Sequence, residues 1–310
     1  MTSYKNAHLF YNSDSGQSKK GRQLEPIRVH FEQHGIPLKI TKFPVPGEDI
    51  KTTVDQILVE DSDLFIAAGG DGTISLISNK LIGTEIPLAI LPLGTGNLLA
   101  QELQIPQNLE KALSLITSDQ SKTILMDTLK LEGRSCLLNV SVGVTPKVMK
   151  KTQAREKQRY GIFAYVVHFI QQFLGLKLNR YFVEYDGKNI TFRASEVLIT
   201  NGQSMGVENL KWSENISIND GRLDLFIIRA TNFMDVIRLV FSIFTKKNER
   251  NDVMKYIQFS DYCRIETQTP LPAQADGDTI GETPVEIRIS PKSLKVIVGE
   301  NYKTNYKHKE

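Results

Sequence analysis

Apolar residues in the first third of the chain alternate between short runs and helically spaced positions. Leu24, Ile27 and Phe31 recur on one helical face, whereas runs such as AHLFYN, PLKITKF, DLFIAAGG and IPLAILPLG are typical of buried strands. Helices are predicted over 17–34, 49–60 and 75–81. Strands that alternate with helices predict βαβ units around a parallel sheet. Residues 1–125 are therefore predicted to form an α/β domain.

The pattern changes near residue 122, where strand candidates begin to follow one another directly. They include TILMDTLKLEG, RYFVEYDG, RLDLFIIRA, YIQFSDYCRIET and SLKVIVG, and helical segments interrupt them around 147–174 and 232–247. Runs of strands with few crossovers predict a mostly antiparallel β-sandwich over 126–291. Residues 292–310 are predicted to return to the first domain and to end in a frayed tail.

A glycine-rich turn, Gly69–Thr73, follows the apolar run 64–68 and precedes a helix. Open α/β sheets bind ligands at this end of their strands, and glycines there let main-chain amides approach phosphate oxygens. Asp71 would repel a phosphate unless it holds a cation or orients hydroxyl groups, so its presence indicates a metal–nucleotide complex. The structural alternative is an ordinary turn in which Asp71 is a helix N-cap.

Two further turns are predicted at the same sheet edge. Leu93–Asn97 also follows a strand and opens a helix, and it offers the Thr95 hydroxyl and the Asn97 amide. Asn12–Gly16 is a polar turn after the first strand. Three converging loops suit a nucleoside triphosphate, although the chain has neither a Walker A motif nor a GxGxxG fingerprint.

Composition narrows the function classes. The 310 residues carry 38 basic and 35 acidic side chains, a net charge of only +3, which argues against nucleic acid as a partner. The two cysteines, Cys136 and Cys263, lack metal-ligand spacing and are predicted to be buried free thiols. No apolar stretch is long enough to span a membrane and no signal peptide is visible, so a cytoplasmic location is expected.

These segments together resemble a known family. Asn12-x-x-Ser15-Gly16, GGDGT, LPLGTGN, the run 220–224 and the run 274–278 occur in the order and spacing of the diacylglycerol kinase catalytic-domain family. The resemblance is to its bacterial soluble lipid kinases, which are related to sphingosine kinases, and it covers about residues 5–299. It implies an NAD-kinase-like α/β domain followed by a β-rich domain for the lipid substrate. GGDGT alone also occurs in NAD kinases.

The resemblance implies a set of ligand-binding residues. Contacts to ATP are implied for Asn12, Ser13, Asp14, Ser15, Gly16, Gly69, Gly70, Asp71, Gly72, Thr73, Ile74, Ser75, Gly94, Thr95 and Asn97. A Mg²⁺ site is implied at Asp220, with Ser217 and Arg222 acting through their main-chain carbonyls. Phe43 stands at or near the position of a nucleotide-contacting threonine of the family, and Thr41 lies two residues away.

The implied catalytic acids are Asp278, Asp276 and Asp71. The family's late Asp-Gly-Glu motif reads Asp276-Gly277-Asp278 here, so the acid assigned as base for the lipid hydroxyl is one methylene shorter. Asp278 is the first choice for the base and Asp276 is the reserve. The structural alternative is that Asp-Gly-Asp only closes a hairpin.

A lipid acceptor requires access to a membrane surface. Six basic residues over 147–159 precede the aromatic-rich segment 160–170, and Met234–Phe244 is followed by Lys246, Lys247 and Arg250. Both segments are typical of interfacial helices, and both also suit core-packing helices with a solvated basic end.

The resulting hypothesis is a Mg²⁺- and ATP-dependent lipid kinase that associates reversibly with membranes and acts on a diacylglycerol-like lipid. An NAD kinase, and a lipid- or nucleotide-binding protein with little catalysis, are the alternatives. A homodimer is left open.

Overall fold

A computed structural model describes residues 4–16, 22–43, 52, 54, 62–143, 177–204, 211–213, 215–244 and 252–303. The chain divides into two compact units, Met1–Met126 with Lys292–Thr304 and Asp127–Pro291 with Asn305–Glu310. The helix predicted over 147–174 lies outside the described residues. Of the helix predicted over 49–60, only residues 52 and 54 are described, and both are helical.

The first unit contains a parallel sheet. Its strands are β1 (Ala7–Asn12), β2 (Leu38–Phe43), β3 (Leu64–Gly69) and β4 (Leu88–Pro92), in the order β2-β1-β3-β4. The end of the last strand of the chain, β16 (Val285–Val298), pairs in parallel with β4. The helices are α1 (Leu24–Gln33), α2 (Asp71–Leu81), α3 (Leu98–Glu102) and α4 (Leu109–Thr117). Every residue of β3 and β4 is buried, as expected for parallel strands covered on both faces.

The second unit is a β-sandwich with one described helix, α5 (Phe233–Phe244). Its strands are β5 (Lys122–Leu131), β6 (Arg134–Cys136), β7 (Asn139–Val142), β8 (Asn179–Tyr185), β9 (Lys188–Ala194), β10 (Glu196–Thr200), β11 (Leu223–Ile228), β12 (Met254–Phe259), β13 (Tyr262–Thr267), β14 (Pro272–Ala275), β15 (Asp278–Glu282) and the first part of β16.

Two antiparallel layers enclose the core of this unit. One layer has the order β12-β11-β10-β7-β14-β15, and the other joins β16, β13, β8 and β9. Val140 and Leu225 from the first layer pack in one cluster with Tyr181, Cys263 and Ile287 from the second. The predicted fold class, an α/β unit followed by an antiparallel sandwich, is confirmed.

Some predicted details are confirmed and others shift. Cys136 and Cys263 are buried free thiols, as expected. The helix predicted from residue 75 begins earlier, at Asp71. Gly70 has an extended conformation (φ −95°, ψ −176°) and is the N-cap of this helix. Among the described residues, no helix is both long and apolar enough to cross a membrane.

Candidate functional site

Three loops meet at one edge of the parallel sheet. They follow Asn12 at the end of β1, Gly69 at the end of β3 and Pro92 at the end of β4. The Asn12 side-chain amide donates to Thr73 Oγ1 at 2.9 Å, and the Gly70 amide donates to Ser15 Oγ at 3.1 Å. The Asn12–Gly16 loop is therefore hydrogen-bonded to the Gly69–Thr73 turn, as its position after a neighbouring parallel strand predicts.

Asp71 joins the two glycine turns. Its Oδ2 accepts a hydrogen bond from the Asn97 amide at 2.9 Å, and its Oδ1 accepts one from the Leu98 amide at 2.6 Å. The carboxylate thus caps the N-terminus of α3, where amide dipoles favour negative charge. The structural alternative, in which Asp71 is the N-cap of the helix that follows it, is not what the structure has. Asp71 is the first residue of α2, Gly70 is the N-cap of that helix, and the Asp71 side chain caps α3.

The loops approach each other so closely that side chains would not fit. A Cβ atom on Gly94 would lie 2.4 Å from Gly70 Cα, and one on Gly16 would lie 2.5 Å from Thr95 Oγ1. At Gly70 and Gly94 the main chains of two loops touch directly, and at Gly16 the first loop packs on the Thr95 side chain, so these positions require glycine. Glycine main chain is also what lets amides approach a phosphate group closely.

Several predicted ATP-binding residues support the turns from inside the unit. Asn97 is buried, adopts φ 53°, and donates from its side chain to the Gly94 carbonyl at 3.0 Å and to Gln107 Oε1 at 2.9 Å. Ile74 is also buried. By contrast, Asp14, Gly16, Gly72 and Thr95 are exposed, and Asn12, Ser13, Ser15, Gly70, Asp71 and Ser75 are partly exposed.

Phe43 and Thr41 have structural contacts. The Phe43 side chain is buried, and its carbonyl accepts from both the amide and the hydroxyl of Ser13, at 3.0 and 2.9 Å. Thr41 Oγ1 pairs with His8 Nε2 at 2.8 Å. Residue 43 therefore orients the Asn12–Gly16 loop through its main-chain carbonyl oxygen, and a residue of any type could supply that oxygen.

The Asp-Gly-Asp segment in the second unit closes a hairpin. Ala275 pairs with Asp278, and the two turn residues, Asp276 and Gly277, have φ values of 48° and 88°, as in a type I′ turn. The Asp276 carboxylate accepts hydrogen bonds from the amides of Leu137, Leu138 and Asn139 at 2.6, 2.9 and 3.0 Å. Burial raises the pKa of Asp276, and these three hydrogen bonds oppose that effect.

Asp278 is placed differently. Its side chain is 72% exposed, and its one described ion pair is a long contact of 3.4 Å between Oδ2 and the Arg134 guanidinium. The two acids of the segment therefore have different surroundings: the Asp276 oxygens are occupied by the protein, whereas those of Asp278 are open to a substrate.

The predicted metal residues lie in a tight turn. Gly221 adopts φ 72°, Asp220 Oδ1 accepts from the Arg222 amide at 3.0 Å, and Ser217 Oγ donates to Asn219 Oδ1 at 2.8 Å. Burial raises the pKa of Asp220 to about 6, and the nearby Asp127 carboxylate contributes to the increase. The turn thus holds a negative charge that a cation would stabilise.

Two further carboxylates accompany Asp220, and the sequence analysis did not select them. Asp127 is fully buried and accepts from the Gly221 amide at 2.7 Å. Asp224 is fully buried, and its Oδ1 accepts from Tyr256 Oη at 2.5 Å and from the Gln258 side chain at 3.2 Å. Burial, with a contribution from Asp220, raises the pKa of Asp224 to about 7. An acid inside a strongly apolar run, as in TILMDTLKLEG and RLDLFIIRA, is the signal that could have indicated both.

The donor set is compatible with Mg²⁺ in its chemistry. It is rich in carboxylate and carbonyl oxygens, and the buried Asp224 Oδ2 has no hydrogen-bond partner. Within the described part of the chain, no three side chains of the metal-ligating types lie close enough to hold an ion by themselves. A Mg²⁺ ion here would therefore need main-chain carbonyls and water as additional ligands, which Mg²⁺ commonly retains.

A parallel α/β unit with three loops at one sheet edge, followed by an antiparallel sandwich, defines a two-domain class that includes NAD kinases and soluble lipid kinases. Within that class, the chain belongs to the diacylglycerol kinase catalytic domain family. Residues 6–129 match the diacylglycerol kinase catalytic domain, and residues 138–298 match the YegS C-terminal NAD kinase beta sandwich-like domain.

Individual relatives agree with this assignment. A diacylglycerol kinase of Bacillus subtilis (strain 168) is 26% identical over 285 residues, covering 91% of this chain and 92% of that protein. An uncharacterized protein of Synechocystis sp. is 30% identical over 305 residues, covering 94% of this chain and 70% of that protein. The crystal structure of a diacylglycerol kinase from Bacillus anthracis matches with a TM-score of 0.77 and 26% identity, over 97% of this chain and 99% of that one.

Proposed function

We propose that the protein is an ATP-dependent lipid kinase that transfers the γ-phosphoryl group to the hydroxyl of a diacylglycerol-like lipid at a membrane surface. The observation that carries this proposal is the set of three hydrogen-bonded, close-packed loops at the carboxyl ends of β1, β3 and β4. Phosphoryl transfer requires mainly positioning and neutralisation of charge, and such loops supply both through main-chain amides.

In this proposal the loops of the first unit hold ATP. The exposed main chain of Gly16 and Gly72 and the Thr95 hydroxyl would contact the phosphates. Asp71 maintains the distance between the two glycine turns through its bonds to the Asn97 and Leu98 amides. The Asp71 carboxylate would also interact with the cation that accompanies the nucleotide.

Asp278 would act as the general base. The lipid hydroxyl oxygen forms a bond to the γ-phosphorus, the bond from that phosphorus to the β,γ-bridging oxygen breaks, and the hydroxyl proton passes to the Asp278 carboxylate. ADP is the leaving group. Arg134, 3.4 Å from Asp278, would orient the carboxylate.

The turn around Asp220 would hold Mg²⁺ through the Asp220 carboxylate and the main-chain oxygens of Ser217 and Arg222. When bound, the ion would supply a fixed positive charge beside the Asp220 carboxylate. Asp127 keeps the turn in shape by accepting the Gly221 amide, and Asp224 is oriented by Tyr256 and Gln258.

The similarity of the second unit to an NAD kinase β-sandwich supports one alternative, an NAD kinase. The deciding experiment incubates the protein with radiolabelled ATP and Mg²⁺ in the presence of diacylglycerol, a sphingoid base, phosphatidylglycerol or NAD. We expect label in phosphatidic acid, formed about 10²–10⁴ times more slowly when Asp278→Asn replaces the wild type. Label in NADP alone would establish the NAD kinase, and ATP binding without transfer to any acceptor would establish a binding protein.

A further inference from the structure

The helix α5 presents large apolar side chains to solvent. Phe233, Met234, Ile237 and Phe241 are 52%, 54%, 39% and 66% exposed. At about 100° per residue these four positions lie within about 100° of the helix circumference, so they form one continuous stripe. We call these four residues the α5 face. Isolated exposed apolar residues are common, but a contiguous stripe of this kind marks an interaction surface.

Packing of the other side of α5 against the sandwich keeps the α5 face exposed to solvent. Val236 and Leu239, on the opposite side, are fully buried in a cluster with Phe226 and Ile228 of β11. The exposure of the α5 face is therefore fixed by the packing of the opposite side of the helix.

Reciprocal bonds fix the start of the helix. Asn232 Oδ1 accepts from the Asp235 amide at 2.9 Å, and Asp235 Oδ2 accepts from the Asn232 side chain at 2.8 Å and from the Thr231 amide at 3.2 Å. This is the pattern of a capping box. The one acidic side chain of α5, Asp235, also forms an ion pair with Arg238 at 3.8 Å, so its negative charge is compensated within the helix.

The sequence that contains and flanks α5 is predominantly basic. The segment 229–255 contains the acids Asp235, Glu249 and Asp252 and twice as many basic residues, Arg229, Arg238, Lys246, Lys247, Arg250 and Lys255. Arg238 is itself on α5 with its side chain 64% exposed. An apolar stripe on a helix that is flanked in sequence by a basic excess is suited to an anionic lipid surface, in which apolar side chains enter the acyl boundary and basic ones remain at the headgroups.

The area of the stripe argues against a second copy of the chain as the occupant. Four partly exposed side chains of this size offer roughly 400 Å² of accessible surface, whereas a stable protein interface buries roughly 800 Å² on each partner. A lipid bilayer requires no matching shape and accepts a small stripe, with basic residues adding about 1 kcal/mol each near an anionic surface.

We infer that the α5 face is the surface by which this protein docks on an anionic membrane, with α5 lying in the plane of the interface. This inference rests on the proposed function only in that a lipid kinase needs access to a membrane. The residues of the α5 face are different from those of the glycine turns and from Asp278. The inference adds a location on the molecule to the membrane association that the proposed function requires.

The test measures co-sedimentation of the full-length protein with sucrose-loaded vesicles. One set is pure phosphatidylcholine, and the other is equal parts of phosphatidylcholine and phosphatidylglycerol. The test variant is Ile237→Ser with Phe241→Ser. The matched control is Phe182→Ser, which removes another exposed aromatic side chain of the same unit, on β8. Phe241→Trp is a conservative variant that keeps a large apolar side chain suited to the interface.

We expect the wild type, Phe182→Ser and Phe241→Trp to sediment with the anionic vesicles, more weakly at high salt and with phosphatidylcholine alone. The double variant should lose at least about tenfold in vesicle affinity, because two side chains no longer leave water on binding. Its circular dichroism and thermal midpoint should match the wild type. Unchanged sedimentation of the double variant would overturn the inference, as would a change in its oligomeric state, which would assign the α5 face to a second copy.

A soluble substrate separates this inference from the proposed function. With a short-chain diacylglycerol in the absence of vesicles, the double variant should transfer phosphate as fast as the wild type. If the wild type fails to phosphorylate any lipid but still binds anionic vesicles through the α5 face, the proposed function fails and the docking surface stands. If the double variant is equally impaired on the soluble substrate, the α5 face acts in catalysis or folding and the docking inference fails.

Discussion

Replacing Asp276 with Asn should destabilise the second unit without acting on the chemistry directly. The wild-type carboxylate accepts three amide hydrogen bonds, from Leu137, Leu138 and Asn139. An asparagine keeps one side-chain oxygen and has an NH₂ group in place of the other. This NH₂ group would face a main-chain N–H, and two donors cannot form a hydrogen bond. Asn tolerates the left-handed conformation that Asp276 adopts at φ 48°, so the backbone of the turn adds little to the effect.

The magnitude follows from the number of bonds lost. The 2.6 Å bond from the Leu137 amide to Oδ2 is lost if the remaining oxygen keeps the two bonds at 2.9 and 3.0 Å. An unsatisfied buried amide costs about 1–3 kcal/mol, and the two remaining bonds lose the assistance of the negative charge. Removal of a buried charge offsets part of this cost. We expect the free energy of unfolding to fall by about 2 kcal/mol.

The assay is urea denaturation followed by tryptophan fluorescence. The chain has a single tryptophan, Trp212, which packs against Phe226 in the second unit at a ring distance of 5.5 Å. Its emission therefore reports the unfolding of the unit that contains Asp276. With a urea slope of about 2 kcal/mol per molar, the loss corresponds to a midpoint about 1 M lower.

Asp278→Asn is the matched control, because this residue is two positions away and its side chain is 72% exposed. Its urea midpoint should equal that of the wild type. If Asp276→Asn leaves the midpoint unchanged, or if both variants shift it equally, the assignment of Asp276 to structural support is wrong.

Three further predictions follow from other contacts. Asp278→Asn should lower kcat by about 10²–10⁴ with little change in the Kd for ATP, as measured by single-turnover transfer and nucleotide binding; equal ATP affinity and equal kcat would remove it as the base. Asp71→Asn should raise the ATP concentration needed for half-maximal rate and lower the thermal midpoint, because the bonds to Asn97 and Leu98 lose their charge. Burial raises the pKa of Glu196 to about 8 from 4.5, so stability present below about pH 4.5 is lost progressively as pH rises to about 8. Glu196→Gln should therefore become more stable than the wild type as the pH rises over that range, because glutamine does not ionise. If the urea midpoints of the two proteins change with pH in parallel, the raised pKa of Glu196 is contradicted.

The order of strands and helices was predictable because it depends on local periodicity. Buried runs such as Leu64–Gly69 and Leu88–Pro92 contain only apolar or small residues, and a helix follows each across a glycine turn. Once the strands are parallel, their carboxyl ends share an edge, so the meeting of the Asn12, Gly69 and Pro92 loops follows from topology alone.

Contacts between distant parts of the sequence were not predictable in the same way. The bond between the Gly221 amide and Asp127 joins residues 94 positions apart, and the bond between the Asn97 amide and Asp71 joins residues 26 apart. Neither pair has a periodic signal, because each depends on how close two turns come in space. The resemblance ranked Asp278 before Asp276 as the base, but nothing in the sequence indicated the structural role of Asp276. That role depends on the amides of residues 137–139, which are far away in the sequence.

Adjacent acids in this family motif can therefore serve separate purposes. The oxygens of Asp276 accept three amide hydrogen bonds, so their lone pairs are occupied by the protein and are less available to a substrate hydroxyl. The same bonds fix the turn from which Asp278 projects, because Asp276 and Gly277 are the two central residues of that turn. The proposed base thus depends on its neighbour for position. The shorter arm of an aspartate at 278 increases that dependence, since the side chain has fewer rotatable bonds with which to correct a misplaced turn.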